Sequence, residues 1–254
     1  MTDHTAGSTD ATSETGKTDA TGVDEHKDTL GSRQLAQSGP LPGDGTVVAV
    51  VLAAGDSTRL GQPKQLAPIN GRPALAYTLD ALRASDVDAI TLVLGHRADE
   101  IAAALDLTGI TVVRNPDYAE GQSTSVKAGV KSLGAEVGAA LMTVGDQPTL
   151  SPTVVNAIIA AYRATGGPWI VPVYRTPDGG GRDWGNPVLL SRASWHWLDM
   201  LKGDTGARSV LRKQMDMVLE LPVDDPMPID IDTPEDYARV RRSLEGGNVE
   251  RRSE

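Results

Sequence analysis

The chain has 254 residues, 39% hydrophobic and 23% charged, with a net charge of −10. That is enough for one domain of about 200 residues with a substantial core. The acidic balance excludes a phosphate-backbone surface of the usual basic kind, the absence of Cys excludes disulfides and thiolate metal sites, and no apolar run approaches the roughly 20 residues that span a bilayer. The opening MTDHTAGSTD has neither the basic region nor the apolar core of a secretory signal. The expectation is a cytoplasmic protein with no membrane and no nucleic-acid partner.

Residues 1–45 are rich in Thr, Ser, Asp and Gly, and the first forty hold seven acids against three bases. Such a segment buries too little to offset its ordering entropy, so a disordered acidic tail is expected. Pro40, Leu41, Pro42 and Gly43 punctuate its end. From Thr46 to about residue 245 the pattern alternates strand and helix, the signature of an α/β domain with a mainly parallel sheet.

The first element, Val47–Leu52, is a continuous apolar run and reads as a strand buried on both faces. A glycine loop follows. Arg72–Ser85 reads as a helix, Ala89–Leu94 as a strand, Ala98–Leu105 as a helix and Ile110–Arg114 as a strand. Gly121–Leu133 is helical and Ala139–Val144 extended. Ser151 and Pro152 read as N-cap and first residue of a helix to about Ala164. Trp169–Val173 is a strand, Arg175–Gly185 a mobile glycine-rich loop and Asn186–Leu190 a returning strand. Ala193–Leu201 and Ala207–Met215 read as helices, Val218–Val223 as a strand and Thr233–Ser243 as the last helix, before a polar tail at 246–254.

The stretch VVAVVLAAGDSTRLGQPKQL, Val47–Leu66, carries the strongest chemical signal. Its small residues let a ligand approach the backbone. Successive N–H groups in such a loop form an anion nest, to which Arg59 and Lys64 add fixed positive charge. The loop sits at the carboxyl end of a first strand, where open α/β sheets bind ligands. It is not the common phosphate loop, because Lys64 is too far from Gly61 and is followed by Gln65.

Asp146 follows another apolar strand in the run VGDQP, so it projects at the same sheet edge and can hold Mg²⁺. In IDIDT, period two puts Asp230 and Asp232 on one face, opposite Ile229 and Ile231. With no cation nearby in the sequence, two carboxylates there repel unless a metal sits between or beside them. Thr233, Pro234 and Asp236 read as a capping box. Gly121–Ser125 opens a helix whose N–H groups and hydroxyls suit a sugar or base edge, although Ser123 and Thr124 read equally as an N-cap cluster. His96, His196, Trp195 and Trp197 stand in no motif and read as packing or surface residues.

LAAGDSTRLGQPK resembles the signature loop of nucleotidyltransferases, and among them most closely that of the molybdenum cofactor cytidylyltransferases, L-A-A-G-x-S-x-R-x-G-x-x-K. The likeness continues in order through GQSTSVKAG, VGDQP, GNPV, GDTGAR and DIDTPEDY, covering roughly Val47 to Val240. It implies a three-layer, Rossmann-like (GT-A-like) nucleotidyltransferase fold. It also implies a Mg²⁺-dependent transfer of CMP from CTP to the terminal phosphate of a molybdopterin-type cofactor, with release of pyrophosphate.

Carried onto this chain, the resemblance makes Arg59, Lys64, Asp146 and Asp230 catalytic, with Asp146 and Asp230 as metal ligands and Asp232 as the alternative to Asp230. Leu52, Ala53, Ala54, Gly55, Ser57, Lys64, Ser125 and Asp146 would bind the nucleotide, with Ser125 facing the base. Arg182 and Arg208, in or near the acceptor-side segments, are candidates for the acceptor's phosphate. The related guanylyltransferases carry L-A-G-G-x-A where this chain has Ala54 and Ser57, which favours CTP over GTP. A molybdenum hydroxylase or its chaperone is the implied protein partner. The alternatives are a cytidylyl- or guanylyltransferase for another phosphorylated metabolite, or a non-catalytic carrier of the dinucleotide cofactor.

Overall fold

The structure is a computed structural model describing residues 45–56, 63–176 and 180–250, the last five by backbone alone. The expected N-terminal tail, Ser57 and Arg59 lie outside the described residues. In chain order the elements are β1 (Thr46–Ala53), β2 (Pro68–Ile69), β3 (Arg72–Pro73), α1 (Ala74–Arg83), β4 (Ala89–Leu94), α2 (Ala98–Ala103), β5 (Ile110–Arg114) and α3 (Gln122–Lys131). They continue with β6 (Val137–Val144), α4 (Pro152–Thr165), β7 (Trp169–Arg175), β8 (Arg182–Trp184), β9 (Val188–Ser191), α5 (Ala207–Leu211), β10 (Val218–Pro222) and α6 (Pro234–Glu250).

Among the described residues, the main sheet runs β10-β7-β9-β6-β1-β4-β5, with β8 paired to β7. β1 lies between β6 and β4, parallel to both. Within this sheet, among the described residues, only β8 and β9 run antiparallel to their neighbours. The apolar run of β1 is covered on both sides. Val47, Ala49, Val51 and Ala53 join one core cluster, with Leu75 and Leu79 of α1 and Val155 and Ile158 of α4. Val50 joins a second cluster, with Val126 and Val130 of α3 and Trp169 of β7. A strand alternates its side chains between faces, so burial of both faces requires an unbroken apolar sequence. The result is the expected three-layer α/β architecture with a mainly parallel sheet. Among the described residues, no helix is long and apolar enough to cross a membrane.

A third, smaller cluster lies beyond the main layers. It packs Ala67, Ile69 and Ala74 against Ile231 and Val240. The hydroxyl of Tyr77 donates to the Ile69 carbonyl at 2.9 Å, and that of Tyr237 to the Pro68 carbonyl. The cluster fastens the segment before α6 to the small β2–β3 sheet.

Several sequence expectations need correction. Arg72 is not helical: Arg72 and Pro73 pair antiparallel with β2, and α1 begins at Ala74. The expected loop at 175–185 contains β8, which extends β7 as a hairpin. Arg192–Met200 is a 3-10 helix, and the helix expected over 207–215 ends at Leu211. The polar tail at 246–254 is helical as far as Glu250. Ser151 stands at the N-cap position of α4 with Pro152 in its first turn, as expected, but its hydroxyl donates to the Asp225 carboxylate and not to the helix. Pro152 at the first turn has no N–H to satisfy, so that cap has less to do. The capping box at α6 does form: the Thr233 amide donates to Asp236 Oδ2 at 3.0 Å and the Asp236 amide to Thr233 Oγ1 at 3.2 Å.

Gly129 of α3 sets how closely the helix approaches the sheet. A Cβ there would lie 2.5 Å from Val50 Cγ1 and 3.1 Å from Val93 Cγ2. Gly129→Ala should therefore destabilise by about 1–3 kcal/mol through overpacking. Adding Val50→Ala should cost less than the two single changes summed, because each relieves the other. Thermal melts of the four proteins check this, and an unchanged midpoint for Gly129→Ala would contradict it.

Candidate active site

The register of the central strands aligns three carboxyl ends. Leu52 pairs with Val144 of β6, and Ala53 with Leu94 of β4. Small residues follow each strand because the turns press together. The Gly145 amide donates to the Leu52 carbonyl at 2.9 Å, and the His96 amide to the Ala54 carbonyl at 3.1 Å. A Cβ on Gly95 would lie 2.6 Å from Tyr118 Cβ and 2.9 Å from Ala54 Cβ. Asp146 emerges from this packed edge only 8% exposed.

The segment before α6 closes onto the same edge. The Ile231 amide donates to the Asp146 carbonyl at 3.1 Å, and the Ile229 amide to Thr149 Oγ1 at 2.9 Å. Ile231 is buried in the third cluster, and of the acids on either side of it Asp230 lines the cleft while Asp232 meets Lys64. The predicted alternation therefore operates without a ladder strand. Asp230 accepts a hydrogen bond from Gln147 Nε2 at 2.9 Å. Asp232 accepts one from Lys64 Nζ at 3.0 Å, and Lys64 also forms an ion pair with Asp146.

A chain of hydrogen bonds supports Asp230 from behind. The Gln147 side chain accepts from Asn186 Nδ2 at 3.2 Å, and the Tyr174 hydroxyl donates to the Asn186 carbonyl at 2.6 Å. Thr78 Oγ1 donates to the Gln147 carbonyl at 3.2 Å. This network positions a side chain that ends in the cleft.

Two cavities meet here. The larger, about 650 Å³, is lined by residues that include Ala54, Gly55, Lys64, His96, Tyr118 and Ser125. The smaller, about 360 Å³, is lined by Thr143, Asn186, Arg208, Ser209 and Asp230 among others. Both include Leu52, Gln122, Val144 and Asp146 in their walls. The cleft thus has two lobes with one carboxylate between them.

Burial lowers the affinity of the Lys64 ammonium for its proton, but the charges and hydrogen bonds of Asp146 and Asp232 outweigh it, and the net pKa shift is upward. Asp230 is pushed up by burial, then by the charge of Asp146 and less by that of Asp232. The Gln147 hydrogen bond and Lys64 pull the other way. Burial lowers the Arg208 pKa, against the opposing pull of Asp230 and Asp183.

The sequence candidates divide as follows. Leu52, Ala54, Gly55, Lys64, Ser125 and Asp146 all line the larger lobe, whereas the Ala53 side chain packs in the core. Asp230 lines the smaller lobe and Asp232 meets Lys64. Arg208 lines the smaller lobe, while Arg182 lies in β8 opposite Arg175 and is not among the residues lining either lobe. Asp204, in the segment read as acceptor-side, lines the larger lobe.

Gln122, Gln147, Asn186, Tyr118 and His96 went unread as site residues. His96 Nδ1 lies 3.5 Å from the Tyr118 hydroxyl, and Nε2 lies 3.7 Å from Asp56. The sequence signal for His96 was its place just after a buried strand, the same signal that exposed Asp146. Nor are Ser123 and Thr124 caps. The Ser123 amide donates to the Gly203 carbonyl at 3.0 Å, and Thr124 Oγ1 to the Gly121 carbonyl at 2.9 Å.

A hard divalent cation fits this donor set. Among the described residues no cage of three acidic or imidazole groups is preassembled. Mg²⁺ does not need one, since it is held by one or two carboxylates together with substrate phosphates and water. Asp146, with Asp230 or Asp232, could offer such carboxylates, and the Lys64 ammonium already meets Asp146 and Asp232.

Two lobes sharing a carboxylate suit transfer between two bound molecules, and a lysine among acids in the same wall as Ala54 and Gly55 suits phosphoryl chemistry. The protein class so defined is a nucleotidyltransferase. The chain belongs to the MobA-like NTP transferase domain family, which matches residues 49–218.

It is 30% identical over 214 residues to the purine catabolism protein PucB of Bacillus subtilis, covering 78% of this chain and 97% of PucB. A crystal structure of the Rv0371c homologue from Mycobacterium sp. strain JC1 superposes with a TM-score of 0.70 at 32% identity, covering 79% of this chain and 97% of that one. Rv0371c of Mycobacterium tuberculosis in complex with manganese gives 0.64 at 32% identity, covering 78% and 99%. The chain spans only 15% to 28% of the bifunctional GlmU proteins that it also matches.

The electrostatics of Asp230 give a stability test. Its folded pKa is raised, so the folded state binds this proton more tightly than the unfolded chain does. The contribution is therefore most favourable below the ordinary carboxylate value of about 3.9 and is lost as pH rises through the folded pKa. Asp230 is partly exposed, so solvent screens the effect; Asp230→Asn should raise the metal-free melting temperature at pH 7 only slightly, and the gain should shrink as the pH falls toward that value. A lower melting temperature at pH 7 would contradict this.

Proposed function

We propose that the protein transfers CMP from CTP to the terminal phosphate of a molybdopterin-type acceptor and releases pyrophosphate. The observation that carries the reading is the two-lobed cleft joined at Asp146. The larger lobe takes the nucleotide. Ala54 and Gly55 supply the close backbone approach, and Lys64 lies beside the phosphates. The smaller lobe takes the acceptor, with Arg208 as the cation for its phosphate.

The roles of Asp146 and Asp230 are to hold Mg²⁺, with Asp232 as the alternative to Asp230. The manganese complex of Rv0371c supports a divalent ion. When bound, the metal neutralises charge on the phosphate oxygens of the nucleotide. Lys64 and Arg59 stabilise charge that grows on the transferring and leaving groups. The acceptor phosphate is already ionised at pH 7, so no side chain is needed as general base. The support chain through Gln147, Asn186 and Tyr174 keeps Asp230 in place.

For the base, Ala54 leaves less room than glycine for a purine, and Ser57 offers a hydroxyl that alanine lacks. Ser125 lines the same lobe. CTP is therefore the preferred nucleotide and GTP the competitor. A molybdenum hydroxylase or its chaperone is the natural recipient of such a product.

Pyrophosphate release should be fastest with CTP and a molybdopterin-type acceptor. Asp146→Ala should lower kcat/KM by about a hundredfold or more while the protein stays folded. Near-normal turnover by folded Asp146→Ala would remove that residue from the chemistry. A wild type that prefers GTP would overturn the base assignment, and a preference for another phosphorylated acceptor would overturn the acceptor.

A further inference from the structure

Lys64 has two carboxylate partners and lies at the junction of the cleft. Its ammonium pairs with Asp146 Oδ2 and with Asp232 Oδ1, the second at 3.0 Å. Asp230 is close enough for its charge to act on both Asp146 and Lys64. Three like charges gathered at one edge repel unless a cation lies among them. Among the described residues, the cation in contact with these carboxylates is Lys64.

The backbone under Lys64 is fixed. The Leu66 amide donates to the Pro63 carbonyl at 2.9 Å and the Ala67 amide to the Lys64 carbonyl at 3.2 Å. Gln65 Nε2 donates to the Ala53 carbonyl at 3.3 Å, and Ala67 is buried in the third cluster. The side chain is different: a lysine is a point charge on a flexible four-carbon stem. It can change partners without moving the turn that carries it.

We propose that Lys64 is a resident counter-ion that the metal must displace, so that the ammonium leaves the carboxylates for the nucleotide's phosphates as the metal takes its place. This deepens the nucleotidyltransferase reading and rests on it for the metal. An ammonium and a divalent ion compete for the Asp146 carboxylate, and for that of Asp232 too where it replaces Asp230 as a ligand. They cannot both sit there, because of volume and because of their own repulsion. The metal alone therefore meets an occupied site, and the nucleotide alone meets a lysine held elsewhere. Together each removes the other's obstacle, which is positive coupling between the two ligands.

The test uses Mn²⁺ alone as the probe, titrated into the full chain without nucleotide and followed by the electron paramagnetic resonance of free Mn²⁺. It needs neither CTP nor an acceptor, so its outcome is separate from that of the turnover assays. Lys64→Met should bind Mn²⁺ about tenfold more tightly than wild type, or more, since a charge in direct contact is removed. Lys64→Gln should do the same, which guards against a packing effect of methionine. Arg208→Met controls for the loss of any cation from the cleft and should change the affinity much less. A gain below threefold for both Lys64 variants, or an equal gain for Arg208→Met, would overturn the proposal.

Discussion

The hydrogen bond from the Ile231 amide to the Asp146 carbonyl joins two parts of the chain that are far apart in sequence. Asp146 is delivered by the central sheet and Asp230 and Asp232 by an irregular segment, and the site exists only where these meet. The bond is main-chain, so it fixes separation without using either carboxylate. The burial of Ile231 excludes water from behind it. An exposed backbone bond would exchange with solvent and contribute little, whereas a buried one is costly to break.

That join concentrates negative charge, and the surrounding structure answers it locally. Lys64 meets Asp146 and Asp232, and Gln147 donates to Asp230. Arg208 stands on the other side, within reach of Asp230's field. Among the described wall residues the acids Asp56, Asp146, Asp204 and Asp230 still outnumber the cations Lys64 and Arg208, so a divalent cation would be needed to turn the local field toward phosphates.

How much of this could be read beforehand depended on range. β1 and the place of Asp146 at its edge were legible, because a fully apolar strand followed by small residues or an acid is a local pattern. The flanking acids were legible from the alternation with Ile229 and Ile231. Gln147, Asn186 and Tyr174 were not, since their roles arise from pairing between β7, the turn after β6 and the segment before β9. Lys64 was read for the phosphate it would meet, and its contact with Asp232 depends on how the chain folds back before α6. His96 was discounted for want of a motif, yet strand order alone puts it beside Ala54. Short pieces were the other weakness. β8 and the 3-10 helix at Arg192–Met200 are set by packing against β7 and α3, not by their own periodicity.

The division of the cleft has an evolutionary consequence. Most wall residues belong to one lobe only: His96 and Tyr118 to the larger, Val188 and Ser209 to the smaller. Selection can therefore retailor one compartment, by drift in the short α5 or in β9, while the other keeps its shape. Variation should be tolerated in those private walls and resisted at the few shared positions, where one change alters both compartments. In the wall of the larger lobe Gly121 is held to glycine, for a Cβ there would run into the Gly203 backbone at 2.3 Å. A family built this way can diversify what it joins without reinventing how it joins it.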